Sequence, residues 1–143
     1  MIDSILLVDD ENLFHLVFED SCSLLDITLS LRSLNSSDEA AKLFAEWQKD
    51  PSGRPECVFV DLNIIGSSFD GIELIRKINF EYGNHVVIGI ISSSNEPGEQ
   101  AKAVQAGAQF WIIKSDEIEP RLEEFKKDYD GYKNRTSPFK VYK

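Results

Sequence analysis

Ile5-Leu6-Leu7-Val8-Asp9-Asp10-Glu11 is the stretch whose reading decides the fold. An aliphatic run without alternation that stops abruptly at carboxylates suits a strand buried on both faces of a parallel sheet, with its carboxyl end at a wet edge. The pattern returns three times. Cys57-Val58-Phe59-Val60 stops at Asp61, Val86-Val87-Ile88-Gly89-Ile90-Ile91 stops at Ser92-Ser93-Ser94, and Phe110-Trp111-Ile112-Ile113 stops at Lys114. Residues 27–34 differ: Ile27, Leu29 and Leu31 alternate with Thr28, Ser30 and Arg32, as in a strand with one wetter face.

Helical patterns fill the gaps. Residues 12–25 carry Leu13, Phe14, Val17, Phe18 and Cys22, and Ser36-Ser37-Asp38-Glu39 reads as a capping box before Ala40, Leu43, Phe44 and Trp47. Residues 71–81 place Ile72, Ile75 and Ile78 on one face. Asn95-Glu96-Pro97 opens a fourth helix that Gly107 closes, and Ile118, Leu122, Phe125 and Tyr129 space a fifth, with Pro120 in its first turn. Strict βα alternation predicts an α/β fold: a doubly wound, five-stranded parallel sheet of order 2-1-3-4-5, flavodoxin-like, with helices on both faces. In that order the ligand edge lies at the carboxyl ends of strands 1 and 3, which is where Asp9, Asp10 and Asp61 fall.

Composition narrows the function. With 143 residues, 42% of them hydrophobic, the chain is long enough for one domain with its own core. Fifteen Lys and Arg against 25 Asp and Glu leave a net charge of -10, which disfavours nucleic acid. Cys22 and Cys57 show no metal or disulfide spacing, and the four-residue apolar run after Ser4 is neither signal peptide nor membrane span, so a cytoplasmic location is expected. His15 and His85 read as isolated surface or satisfied histidines.

Three Asp side chains gathered at adjacent strand ends would repel one another unless a cation sat among them. Mg²⁺ suits them, since it takes oxygen ligands and leaves room for waters, a backbone carbonyl and a phosphate. Lys114 and Ser92 leave neighbouring strands at the same edge, so a cation and a hydroxyl face the carboxylates. Such a constellation binds a phosphoryl group, and one of the Asp residues could attack phosphorus. Singly, each of these residues is an ordinary cap, turn former or solvated charge.

Val8-Asp9-Asp10, Val60-Asp61-Leu62-Asn63, Ile91-Ser92-Ser93, Ala106-Gly107-Ala108 and Ile113-Lys114, in that order over residues 4–128, resemble the receiver domain of two-component response regulators. The resemblance implies that Asp61 is the phosphoacceptor, that Asp10, Asp61 and the backbone carbonyl of Asn63 ligate Mg²⁺, and that Asp9 assists through a water. It makes Ser92 the hydroxyl switch, Lys114 the phosphate-pairing lysine and Trp111 the aromatic switch residue. The implied function is a phosphorylation-controlled signalling switch, not an enzyme in its own right. Its donor would be a histidine kinase or histidine phosphotransfer protein, and its output a downstream protein docking on the face of helix 4, strand 5 and helix 5. No nucleic acid or membrane is expected as partner, and a monomer or weak homodimer is expected. Ser115 stands where the family has Pro, which leaves the isomer of the Lys114–Ser115 bond open. The segment from Asn63 to Gly71 lacks the family's Pro at Ile65 and is about two residues longer than usual.

The expected organisation is a receiver over residues 1–129 and a basic, aromatic tail over 130–143 without an output domain. The tail, with Tyr132, Phe139 and Tyr142, reads as a docking segment or as a frayed or self-packed terminus. Two other readings compete. A pseudo-receiver would use the fold as a binding module without phosphorylation, and a dehalogenase-like phosphohydrolase would need an acid two places after its nucleophile in a DxD pattern that Asp9-Asp10-Glu11 fits poorly.

Overall fold

Leu6 and Val8 turn to one face of the sheet and Ile5 and Leu7 to the other, and all four are buried, so the first aliphatic run is covered on both sides. The computed structural model describes residues 2–143 apart from 29, 65–67 and 116. Leu29 of the alternating strand, and Ile65, Gly66 and Ser67 of the long loop, therefore lie outside the described residues.

The elements are β1 (Ile5–Val8), α1 (Asn12–Leu24), β2 (Leu31–Leu34), α2 (Ser37–Lys49), β3 (Cys57–Asp61), α3 (Gly71–Tyr82), β4 (Val87–Ser92), α4 (Pro97–Ala106), β5 (Phe110–Ile113), α5 (Glu119–Lys133) and β6 (Lys140–Tyr142). All strands are parallel, in the order β2-β1-β3-β4-β5-β6. The 2-1-3-4-5 order read from the sequence is present, with a sixth strand added beside β5. One core layer joins the sheet to α2, α3 and α4 through Leu43, Phe44, Trp47, Leu74, Ile75, Ile78 and Ala103. The other joins it to α1 and α5 through Phe14, Phe18, Leu122, Phe125 and Tyr129.

Local chemistry sets the helix ends. Ser36 Oγ accepts the Glu39 N–H at α2, while the full reciprocal capping box lies at α3, between Asp70 and Glu73. Pro97 opens α4, and Gly107, at φ 115°, ends it in the left-handed region. α1 departs from expectation at Leu13, which is 79% exposed. Its core stripe is Phe14, Phe18, Ser21 and Cys22, and Leu13 and Leu16 project away from it. β2 is shorter than the predicted 27–34. Thr28 Oγ1 bonds both the N–H and the carbonyl of Ser30, a local turn that competes with regular pairing, and among the described residues ahead of Leu31 the contact with the N-terminal strand is a bridge from Thr28 to Ile2 with backbone bonds from Ile2 to Ile27 and from Ile5 to Ser30.

The larger departure is at the C-terminus. The expected boundary at residue 129 falls inside α5, and residues 140–142 pair with β5, Val141 lying opposite Trp111 and Tyr142 opposite Ile112. Tyr142 is buried against Phe125, its hydroxyl donates to Asp128 at 2.7 Å and it lies 2.8 Å from the Tyr132 hydroxyl. Three of the four basic residues of this segment bind their own domain: Lys140 pairs with Glu124 and Asp128, Lys133 with Glu56, and Arg135 donates to the Gly83 and Val86 carbonyls. β5 is therefore an interior strand, and the expected output face of helix 4, strand 5 and helix 5 carries β6 over its middle. Tyr142→Phe removes these hydroxyl bonds and keeps the ring. It is expected to lower stability by about 1–2 kcal/mol, read as a shift in the urea midpoint at unchanged slope.

Candidate functional site

Four strand ends converge at the carboxyl edge of the sheet. Asp61 is the last residue of β3 and Ser92 the last of β4, Asp9 directly follows β1, and Lys114 directly follows β5. The backbone holds them in place: the Asp9 N–H donates to the Leu34 carbonyl at 3.0 Å, and the Lys114 N–H to the Ser92 carbonyl at 2.7 Å. Asp10 is half-buried, and its charge acts on Asp61. Asn63, two residues past Asp61, is exposed. The loop between β3 and α3 is tied to the start of α2, where Ser37 Oγ donates to the Phe69 carbonyl and Asp38 accepts the Ser68 N–H.

Lys114 Nζ lies 2.9 Å from Asp9 Oδ2, 2.7 Å from Glu11 Oε1 and 3.8 Å from Asp61 Oδ2, over the ring of Phe14. Asp9, Glu11 and Asp61 bring carboxylate oxygens within 4.8 Å of one another. Glu11 is the member that sequence reasoning missed as a site residue. It is the N-cap residue of α1 yet makes no side-chain capping bond, and its carboxylate turns back to Lys114. Its adjacency to Asp10 was a signal, but the direction of its side chain depends on how the chain enters α1. His15 is satisfied, its Nε2 donating to the Asp9 carbonyl.

Burial pushes Asp61 up to about 7, with the neighbouring charge of Asp9 adding to the rise and Lys114 opposing it. Burial likewise raises Asp9, against the bonds from Lys114 and the Glu11 N–H. Burial alone would lower Lys114, but its bonds to Glu11 and Asp9 outweigh this and hold it above its ordinary value. One ammonium thus serves at least three carboxylates, and burial raises two of them, Asp9 and Asp61, above the ordinary carboxylate value. An all-oxygen donor set with that charge deficit fits a hard divalent cation such as Mg²⁺. Bound there, the cation would keep the carboxylates ionised and offset negative charge on a neighbouring phosphoryl oxygen.

Ser92 and Trp111 are joined through Ser94. Ser92 Oγ accepts the Ser94 N–H at 3.1 Å, the Ser94 carbonyl accepts the Trp111 indole N–H at 3.0 Å, and Ser94 Oγ donates to Glu99 of α4 at 2.8 Å. Trp111 is fully buried, and Val141 of β6 lies opposite it in the sheet. The ring at this aromatic switch position is thus already inside the protein and held by its N–H. No cis peptide bond occurs among the described residues, so Lys114–Ser115 is trans.

The chain matches the family model of the response regulator receiver domain over residues 5–123. It belongs to that family. Among solved structures, NtrX from Brucella abortus is 22% identical with a TM-score of 0.76, over 94% of this chain and 29% of that one. The chain therefore spans under a third of NtrX. A response regulator from Thermotoga maritima is 22% identical with a TM-score of 0.70, covering 89% of this chain and 97% of that one. The Mn²⁺-bound response regulator Rcp1 is 18% identical with a TM-score of 0.73, covering 89% and 94%. At these identities the structural neighbours show the fold alone. No curated protein matches the chain. A receiver domain is a signalling domain, its membership supports phosphorylation-controlled signalling, and the Asp9, Glu11 and Asp61 cluster fits its Mg²⁺ site. Among the described residues no helix is long and apolar enough to cross a membrane.

Proposed function

We propose that this receiver accepts a phosphoryl group on Asp61 and passes the change on by altering its affinity for another protein. The observation that carries the reading is the Asp61 carboxylate at the end of β3, grouped with Asp9 and Glu11 and 3.8 Å from the Lys114 ammonium. A carboxylate oxygen of Asp61 would attack the phosphorus of a phosphohistidine. The P–N bond breaks, the donor imidazole takes up a proton, and Lys114 balances charge on the transferred oxygens. Mg²⁺ would be held by Asp10, Asp61 and the Asn63 carbonyl, with Asp9 acting through a water.

A histidine kinase or phosphotransfer protein is the proposed donor. Leu13 and Leu16 lie on one exposed side of α1, a turn from the acidic cluster, and form an apolar strip suited to a partner helix. Output is proposed to run from Ser92 through Ser94 to Trp111 and α4. If Ser92 Oγ turns toward a phosphoryl group, the Ser94 N–H loses its acceptor, and the Ser94 contacts with Trp111 and Glu99 shift with it.

Acetyl phosphate with Mg²⁺ tests the reading: an acid-stable, hydroxylamine-sensitive label on Asp61 is expected. A folded chain that takes no label is instead a phosphorylation-independent binding module. In a Trp47→Phe background, beryllofluoride with Mg²⁺ is expected to change Trp111 emission, and Ser92→Ala to reduce the change. Lys114→Ala is expected to slow Asp61 labelling without abolishing it and to weaken the emission response of the labelled protein, because the phosphoryl group loses its contact with the end of β5. An unchanged response would remove Lys114 from the signalling route.

A further inference from the structure

We propose that Glu11 is a positioning residue that holds Lys114 in the unphosphorylated protein and must release it for Lys114 to meet the phosphoryl group, an inference that rests on the reading of Asp61 as acceptor. An ammonium has three N–H donors. Glu11 and Asp9 sit at hydrogen-bond distance, 2.7 and 2.9 Å, the Phe14 ring covers another side at 4.6 Å from its centroid, and Asp61 is left at 3.8 Å. The ammonium is thus drawn toward Glu11 and Asp9 and away from Asp61, and closing the 3.8 Å gap means lengthening one of the two short contacts.

Burial decides which. The Asp9 side chain is completely buried, and its Oδ1 also accepts the Glu11 N–H, so it has no route to water. The Glu11 side chain is 63% exposed and caps nothing on its own helix, so it can swing into solvent at little desolvation cost. The two partners differ in role: Asp9 anchors Lys114 by a buried ion pair, and Glu11 takes its hydrogen bond and draws the ammonium away from Asp61. The population with Lys114 free for the phosphoryl group is then a fraction of the total, and apparent affinity for a phosphoryl mimic is lowered by that fraction. Glu11 also adds a carboxylate to the three Asp residues that Mg²⁺ and Lys114 would otherwise balance, so its departure relieves charge as the phosphoryl group arrives.

The test has two arms. In the metal-free protein, Glu11→Gln, Lys114→Met and the double variant form a cycle read by urea unfolding. A coupling of about two- to fivefold in the folding equilibrium is expected for a part-exposed ion pair, and no coupling would overturn the resting contact. In the second arm, beryllofluoride is titrated at saturating Mg²⁺ with Trp111 emission as readout, in the Trp47→Phe background. Glu11→Gln is expected to bind the mimic about two- to fivefold more tightly, on the same ion-pair scale. Glu11→Asp, which keeps the charge but falls short by one methylene, is expected to do the same, and Lys114→Met is expected to abolish the gain. A Glu11→Asp variant that matches wild type, or a gain that survives in Lys114→Met, would show Glu11 acting by charge alone and overturn the proposal. Weaker mimic binding in Glu11→Gln would place Glu11 in the shell of the metal and overturn it as well. A wild-type chain that binds Mg²⁺ but no mimic would defeat the acceptor reading and the release with it, while the metal-free cycle would still report the pair.

Discussion

Asp61→Asn is expected to abolish labelling by acetyl phosphate and, in the same protein, to raise stability at neutral pH. The first effect follows from the loss of the nucleophilic oxygen, since an amide in its place cannot accept the phosphoryl group. The second follows from the electrostatics. Burial and the charge of Asp9 raise Asp61 from 3.8 to about 7, so the folded state binds its proton more tightly than the unfolded chain does. For such a group the stabilisation is full below the unfolded value and is lost as pH rises toward the folded one, so metal-free wild type should weaken between about pH 4 and pH 7. At about 1.4 kcal/mol per pKa unit, the asparagine variant should gain on the order of 2–4 kcal/mol at pH 7 and show a flatter profile over that window. Mg²⁺ should stabilise wild type at pH 7 and the variant much less, because it relieves the same repulsion. Urea unfolding across pH, with chelator and with Mg²⁺, measures all of this. An acceptance site elsewhere would be revealed by label retained in the variant, and an equal pH profile in both proteins would mean that Asp61 is not held away from ionisation.

Gly71→Ala is expected to damage both fold and site. A Cβ at Gly71 would stand 2.1 Å from the Asp61 carbonyl oxygen and 3.0 Å from the Asp61 carbonyl carbon and from Leu62 Cα, all of them backbone atoms that no rotamer can withdraw. The Gly71 N–H also donates to the Leu62 carbonyl, so α3 cannot back away without losing that bond. The cost should reach about 3 kcal/mol, the upper range for overpacking, and displacement of Asp61 by about 1 Å should slow labelling of the folded fraction on the order of 100-fold. Gly89→Ala provides the contrast. Its Cβ would meet the Phe110 ring at 2.5 Å in the interior of the sheet, so it should destabilise the domain while leaving labelling per folded molecule much closer to wild type. If Gly71→Ala labels as fast as wild type, the close approach of α3 to the end of β3 does not position the acceptor.

Much of the architecture was legible because the signals are local. A four-residue aliphatic run such as Ile5–Val8 that stops at carboxylates is a buried strand whatever else surrounds it, and Pro97 with Gly107 delimits α4 by backbone chemistry alone. Strand alternation with helices then brings Asp9, Asp61, Ser92 and Lys114 to one edge, since each directly follows or ends a strand of a parallel sheet. The places where the reading failed are those in which a residue is decided by a distant partner. Leu13 matches a helical apolar pattern, yet the stripe through Phe14, Phe18 and Cys22 faces the sheet and turns Leu13 outward.

By itself the sequence determined the fold class, the order of the first five strands and the convergence of the carboxylates with Lys114, because backbone propensity and topology leave few other outcomes. Tertiary structure alone decided three things. Residues 140–142 became a sixth strand because Tyr142 finds a buried slot against Phe125, with Tyr132 and Asp128 to satisfy its hydroxyl, and that slot exists only once α5 lies on the sheet. Trp111 became a buried, bonded ring because Ser94, seventeen residues away in sequence, offers its carbonyl there. Glu11 became a partner of Lys114 across a separation of 103 residues because the turn into α1 aims it at the end of β5. Each of these depends on the direction of a side chain in three dimensions, which neither periodicity nor spacing encodes.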